Sequence, residues 1–455
     1  MKYIGPFLRI NSLTPANVAN QLLYFSRESL KHIALYSKCG ITTSLRDLKV
    51  HSSPNIDINI FKENSPLLCL YKKANDNLIK DKYGLYWDDS SFKKEINISG
   101  NAYMTLSLLN LCDYYYSFEE VDKKLYTIGY LYSSMAKNQL DFYLKYLRND
   151  DGIFVDKKHL TSSEGDIKFE YKDTPYKVCD QCFLMAAYYK YYLDINARDG
   201  EQYKNFANDI FNMFLNYKEE LYDLSLEELC DFITGLNMFY FYSKDSRAQD
   251  LILDLMDLSL ENLYSEEYGN SNSPKEYALL LINMYMFNKN LNLNLFEEEK
   301  EFLLEKLNSC YDENTGIFLK KKDKKEVSYY GVDVLSPILA LYLYNKEDIF
   351  SNKIVNGYKK GIISSGIIGS WPDTPSLNSV ERYKNFSLKS EDLLDEANFR
   401  QSVIPCPETA LIAPIFYKAI TFSNKKQQFK GVKTSFDCEK SLYPVALCSF
   451  ILSYF

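Results

Sequence analysis

The chain has 455 residues, with 53 Lys and Arg against 61 Asp and Glu, a formal charge of −8, and 46% hydrophobic residues. An acidic balance with both signs mixed along the chain argues against a nucleic-acid-binding surface. Ten cysteines at irregular spacings, most of them in apolar stretches, read as free core thiols and exclude a disulfide framework. The 40 Tyr and 28 Phe recur mostly at helical spacing, as core residues do.

From the N-terminus, Gly5 and Pro6 interrupt an apolar stretch that ends at Arg9, too short for a signal-peptide core. No later apolar run reaches the roughly 18 residues a membrane helix needs, so a cytoplasmic protein is expected. Thr14 is placed to cap a helix over Pro15 to Tyr36, and a turn-rich strap follows through Pro54 and Pro66. Residues 1–67 are therefore expected to form a helical arm and strap, and residues 68–455 the main domain.

Within that main domain a turn signature recurs: Tyr83-Gly84-Leu85-Tyr86, Asp151-Gly152-Ile153-Phe154, Tyr268-Gly269-Asn270, Thr315-Gly316-Ile317-Phe318 and Gly366-Ile367-Ile368. The long interval between Gly152 and Gly269 suggests a sixth unit near Leu221-Tyr222-Asp223 that lacks its glycine. An Asp or Asn before Gly permits a positive φ after a helix, and the β-prone pair then starts a short strand. After each signature comes a segment apolar on nearly every side: Gly100 to Tyr116, Tyr176 to Leu193, Leu226 to Tyr242, Pro274 to Phe287, Tyr329 to Tyr344 and Pro407 to Ile420. Amphipathic segments alternate with them, namely Val121 to Leu147, Gln202 to Leu221, Arg247 to Leu263, Leu295 to Leu307 and Ile349 to Lys360. A helix apolar all round is buried and a one-sided one covers it, so inner and outer helices alternate. Lys440 to Phe455 would add a closing helix.

Six such hairpins resemble the six-hairpin toroid, the (α/α)6 barrel of many glycosidases, polysaccharide lyases, sugar epimerases and, in a variant, isoprenoid cyclases. The resemblance implies an all-α fold, an (α/α)6 toroid of helical hairpins with short β-hairpin connectors. An open solenoid of helix pairs is the structural rival. The resemblance also implies that the inner helices begin at one end, with the glycine connectors around that mouth. The expected function is a carbohydrate-active enzyme, a glycoside hydrolase using a carboxylate pair on a small-molecule or glycan ligand. The alternative is a non-catalytic toroid that binds a glycan, lipid or protein partner through the same mouth.

Polar residues at the inner-helix starts are then the ones to weigh: Asn97, Asn101, Tyr176, Asp180, Gln181, Glu227, Glu228, Asp231, Ser273, Glu276, Tyr329, Tyr330, Asp333, Glu408 and Thr409. A carboxylate at a helix N-terminus also has a simple structural role, because the macrodipole favours it there. Asp180 and Asp333 stand out, since each interrupts residues that would otherwise extend an apolar helix. Desolvation in that setting raises a carboxyl pKa, as a general acid requires at neutral pH. They are the expected catalytic pair, with Asp373 or Glu408 as substitutes. Asp231 is similarly set and is expected to bind substrate.

Both tryptophans fall outside the helical segments: Trp87 precedes Asp88 and Asp89, and Trp371 lies near Asp373 in a stretch without an apolar helix that runs to about Pro405. An indole beside a carboxylate suits a sugar subsite, although the same indole can simply anchor a loop. Tyr176, Tyr329, Tyr330 and Arg382 complete the residues expected to contact substrate. A lyase would use Tyr330 as base and Arg382 as cation, but an acid-rich mouth argues against an anionic polymer. His32, His51 and His159 lie outside the inner helices, and Cys179 with Cys182 has no second pair, so no metal site or Ser-His-Asp triad is expected. No glycine-rich phosphate loop is present, and no cofactor is expected. The acid motifs of isoprenoid cyclases are absent, because Phe92 stands where Asp88-Asp89 would need a third acid.

Overall fold

The computed structural model describes residues 13–48, 50, 56–75, 78–81, 84–160, 167–172, 174–195, 200–264, 274–320, 324–373, 379–382 and 413–455. Its long helices, in chain order, are α1 (Pro15–Lys31), α2 (Ile98–Tyr116), α3 (Lys123–Tyr146), α4 (Val178–Ile195), α5 (Glu201–Asn216) and α6 (Leu226–Ser243). The second half continues with α7 (Ser246–Tyr264), α8 (Pro274–Leu291), α9 (Glu297–Cys310), α10 (Gly331–Leu343), α11 (Ser351–Gly357) and α12 (Cys438–Tyr454). The even-numbered helices pack in sequence from α2 to α12, and α12 closes back on α2. Each odd-numbered helix covers an inner one from outside: α3 on α2, α5 on α4, α7 on α6, α9 on α8, α11 on α10 and α1 on α12. A closed ring of six hairpins results, and the open solenoid is excluded.

Local chemistry sets these boundaries. Thr14 caps α1, with Pro15 at its first position, where a missing N–H has no helical partner to lose. Asn97 caps α2 by accepting from Gly100 N at 3.0 Å, and Ser225 with Glu228 forms a capping box at α6. Gly152 and Gly316 do take positive φ, 84° and 70°, as the turn signatures require. The inner helices approach closely at the mouth: a Cβ on Gly100 would lie 2.3 Å from Cys438 Sγ, so only glycine lets α2 meet α12 there.

Three expectations change. Pro407 to Ile420 does not supply the sixth inner helix: residues 407–412 lie outside the described residues, and Ala419–Ser423 is a strand paired on both sides, with Glu326–Tyr329 and Gln428–Lys433. A short apolar run with β-branched and aromatic residues serves a buried strand as well as a helix, and here pairing decides. The expected closing helix, α12, is instead the sixth inner wall. Nor is the N-terminal helix an arm, because α1 is the outer partner of α12 and shares the continuous core.

The fold is also not purely helical. Strand Leu67–Asn75 lies between Gly40–Thr42 and Lys93–Ile96 and also pairs with Ser435–Asp437, and the sheet continues through Lys157–Leu160 to Lys168–Tyr171. Asn101 of α2 locks this sheet to the ring by accepting from Leu70 N at 2.8 Å and donating to Leu70 O at 3.0 Å. Among the described residues, no helix is long and apolar enough to cross a membrane.

Candidate active site

All six inner helices contribute their first turns to one cavity of about 490 Å³. Ser99 and Tyr103 come from α2, Asp180 from α4, and Glu227, Glu228 and Asp231 from α6. The remaining wall is Lys275 and Glu276 of α8, Asp333 of α10 with Tyr330 just before it, and Glu439, Lys440 and Tyr443 of α12. Lys177, ahead of α4, and Lys320 complete the polar lining. The ring thus brings Asp180, Asp231, Tyr330 and Asp333 together from three helices.

Asp180 is 4% exposed, and burial pushes its carboxyl up to about 7, with Lys177 and Ser99 pulling the other way. Near neutral pH it is therefore about half protonated, with a proton it can give up. Asp333 is 2% exposed and ion-paired, with Oδ2 2.7 Å from Lys320 Nζ and accepting from Tyr330 N at 2.7 Å. Asp231 accepts from Tyr443 Oη at 2.6 Å; burial raises its pKa against the pull of nearby Lys275. Glu439 behaves oppositely to Asp180: burial works against its charge, yet Lys440 and Lys177, at 3.1 and 3.0 Å, hold it down to about 2. Two carboxyls in one cavity are thereby pushed far apart, the usual sign of a division between acid and anion.

Several residues expected at the site lie elsewhere. Trp87 is fully buried, its Nε1 donating to His32 Nε2 at 2.9 Å and its ring set edge-on to Phe436, so it anchors the connector and cannot stack on a sugar. Asp88 caps the turn at Asp89–Ser91 by accepting from Ser90 N at 3.0 Å, and Asp89 is exposed on that turn. Tyr176 is exposed and is not among the cavity residues. Tyr329 is buried behind the wall, where its hydroxyl accepts from Lys320 N at 2.9 Å and donates to Phe318 O at 3.1 Å. Its part is to position Lys320.

Trp371 stacks on Phe25 of α1 at 5.1 Å, and the carbonyl of Asp373 accepts from Tyr24 Oη. Tyr24 lines a different cavity, at the C-terminal ends of α2, α10 and α12, so this segment docks away from the mouth. Arg382 follows Glu381, which lines that same far cavity. Glu408 and Thr409 lie outside the described residues.

Trp87→Phe is expected to lower stability by about 1–3 kcal/mol, from a lost buried hydrogen bond and imperfect packing, without changing ligand binding at the mouth cavity. Urea midpoints set beside binding titrations check this; lost binding at full stability would return Trp87 to the site. His32 adds a pH effect. Burial lowers its pKa from 6.5 to about 4, so the unfolded chain takes up a proton first as pH falls. Stability from this group is full above pH 6.5 and is lost as pH falls toward about 4.

Sequence reading missed the four lysines and Glu439. A signal was present: Lys275 and Lys440 stand in first helical turns and Lys177 just before one, where the macrodipole disfavours a cation.

A solved D-mannose isomerase matches 95% of this chain and 96% of its own, with a TM-score of 0.56 at 10% identity. A cellobiose 2-epimerase from Bacillus thermoamylovorans B4167 matches 78% of this chain and 89% of its own, at TM-score 0.49 and 10% identity. The cellulase Cel9M of C. cellulolyticum in complex with cellobiose matches 96% and 97%, at 0.47 and 11%. No protein-family model and no curated protein matches the chain. The fold is the six-hairpin (α/α)6 toroid.

Proposed function

We propose that this toroid is a carbohydrate-active enzyme, specifically a glycoside hydrolase with its active site in the mouth cavity. The observation that carries the reading is Asp180, a buried cavity carboxyl whose pKa stands at about 7. It donates its proton to the glycosidic oxygen as the bond to the anomeric carbon breaks. Asp333, ion-paired to Lys320, either takes the proton of the attacking water or attacks the anomeric carbon itself. The anomer formed first distinguishes these courses. Asp231, held by Tyr443, and Tyr330 are assigned to substrate hydroxyls and the ring face.

Because a D-mannose isomerase shares the fold, the test offers both aryl glycosides and free aldoses. Release of the aryl group, absent in Asp333→Asn, supports the hydrolase. Aldose–ketose interconversion without glycoside cleavage overturns the hydrolytic step and keeps a carbohydrate enzyme. Binding without turnover of any sugar makes the toroid a non-catalytic receptor.

A further inference from the structure

The cavity wall is electrically lopsided. One arc, formed by the starts of α10, α12, α2 and α4, carries Lys320, Lys440 and Lys177 against Asp333, Glu439 and Asp180; the facing arc on α6 and α8 carries Glu227, Glu228, Asp231 and Glu276 against Lys275 alone. On the first arc, Lys177 and Lys440 share Glu439, at 3.0 and 3.1 Å, and Lys320 pairs with Asp333 at 2.7 Å. Lys440 and Lys320 both approach Tyr330, their Nζ atoms 5.0 and 5.7 Å from its ring centroid.

The helix dipole does not call for this arrangement. Glu439 sits in the first turn of α12, where the helix dipole already favours a carboxylate, whereas lysines at helix N-termini work against the dipole. Each ammonium has three donors; Glu439 takes one from each of its two lysines and Ser99 Oγ a second from Lys177 at 3.4 Å, which leaves one donor on Lys177 and two on Lys440 for a ligand. Both side chains are also part-exposed at the cavity.

Resting on the reading of the cavity as a sugar site, we propose that the substrate sugar carries an anionic group, a carboxylate or a phosphate, seated among Lys177, Lys440 and Lys320. The acidic arc across the cavity then receives the neutral, hydroxyl-bearing part of the sugar. The acid-rich mouth read from sequence, which argued against an anionic polymer, is thereby half of a polarised site.

The test is titration calorimetry with D-glucuronate, glucose 6-phosphate, glucose and inorganic phosphate, on the parent and on Lys440→Gln and Lys177→Gln. At least one charged sugar is expected to bind about tenfold or more tighter than glucose, the increment of one well-placed charge contact. That preference should shrink between about 50 and about 500 mM salt. Either lysine variant should bring it within about threefold while its thermal midpoint stays near the parent's. Preference for glucuronate identifies a carboxylate, and preference for glucose 6-phosphate a phosphate. Equal binding of glucose, a preference untouched in both variants, phosphate binding as well as its sugar ester, or no binding by any probe overturns the proposal. Cleavage of neutral glycosides without charge preference would overturn it while the hydrolase stands; charge preference without cleavage would do the reverse.

Discussion

Asp180→Asn is expected to lower kcat/KM by about 10²- to 10⁴-fold, the usual contribution of a positioned proton donor. The parent's activity should fall as pH rises through about 7, where Asp180 loses its proton, and the residual activity of the variant should lack that limb. Stability should fall in the same direction. The folded carboxyl titrates near 7 and the unfolded one near 3.8, so between these values the folded state holds the extra proton and stability declines as pH rises. Above about pH 7 the full penalty applies, at most roughly 4 kcal/mol for a shift of this size. Asn carries no such charge, so the variant should gain on its parent from pH 4 to pH 8. Denaturation at several pH values, run beside the pH–rate profile, separates the two effects. A variant keeping more than about a tenth of parental activity would remove Asp180 as the donor.

The second large effect lies at the other end of the ring. Arg27 of α1 is 2% exposed, its Nη1 2.8 Å from Glu381 Oε1 and its guanidinium 4.3 Å from the ring centroid of Tyr114 on α2. One side chain thus ties the outer helix α1 to an inner helix and to the segment at Val380–Arg382. Arg27→Ala is expected to cost about 3–5 kcal/mol, because Glu381 is left buried without its countercharge. Arg27→Lys should restore only part of this, since an ammonium cannot lie flat on Tyr114 while pairing with Glu381. In a double-mutant cycle, adding Glu381→Gln to Arg27→Ala should cost much less than the two separate losses together, as expected for residues that act as one unit. Urea unfolding measures each value. A loss under about 1 kcal/mol for Arg27→Ala would mean that solvent screens the pair and that α1 is held by apolar packing alone.

Much of the architecture is legible in the chain because helical periodicity is local. The first five inner segments are apolar all round and the outer ones one-sided, and α2, α4, α6, α8 and α10 fall where that contrast places them. The sixth wall was misplaced for a physical reason. Ala419–Ser423 and α12 are both apolar runs, and only pairing with Glu326–Tyr329 and Gln428–Lys433 makes the first a strand. No local pattern shows that α1, from the opposite end of the chain, covers α12 from outside.

The site divides in the same way. That Asp180, Asp231 and Asp333 interrupt apolar helices is a property of the sequence, and burial of a carboxyl in such a context follows from it. Trp87 shows the limit, because an indole beside two acids looks alike on paper whether it faces a sugar or, as here, His32 and Phe436. The lysines around Glu439 come from the starts of two helices, α4 and α12, separated by most of the chain. By itself the sequence determined five of the six buried helices, about where they begin and which acids they carry, since these depend on neighbours within a few turns. Only the tertiary structure decided which helix ends share one cavity and which charges face each other across it, because Coulomb interactions and desolvation act through space, over distances that chain order does not encode.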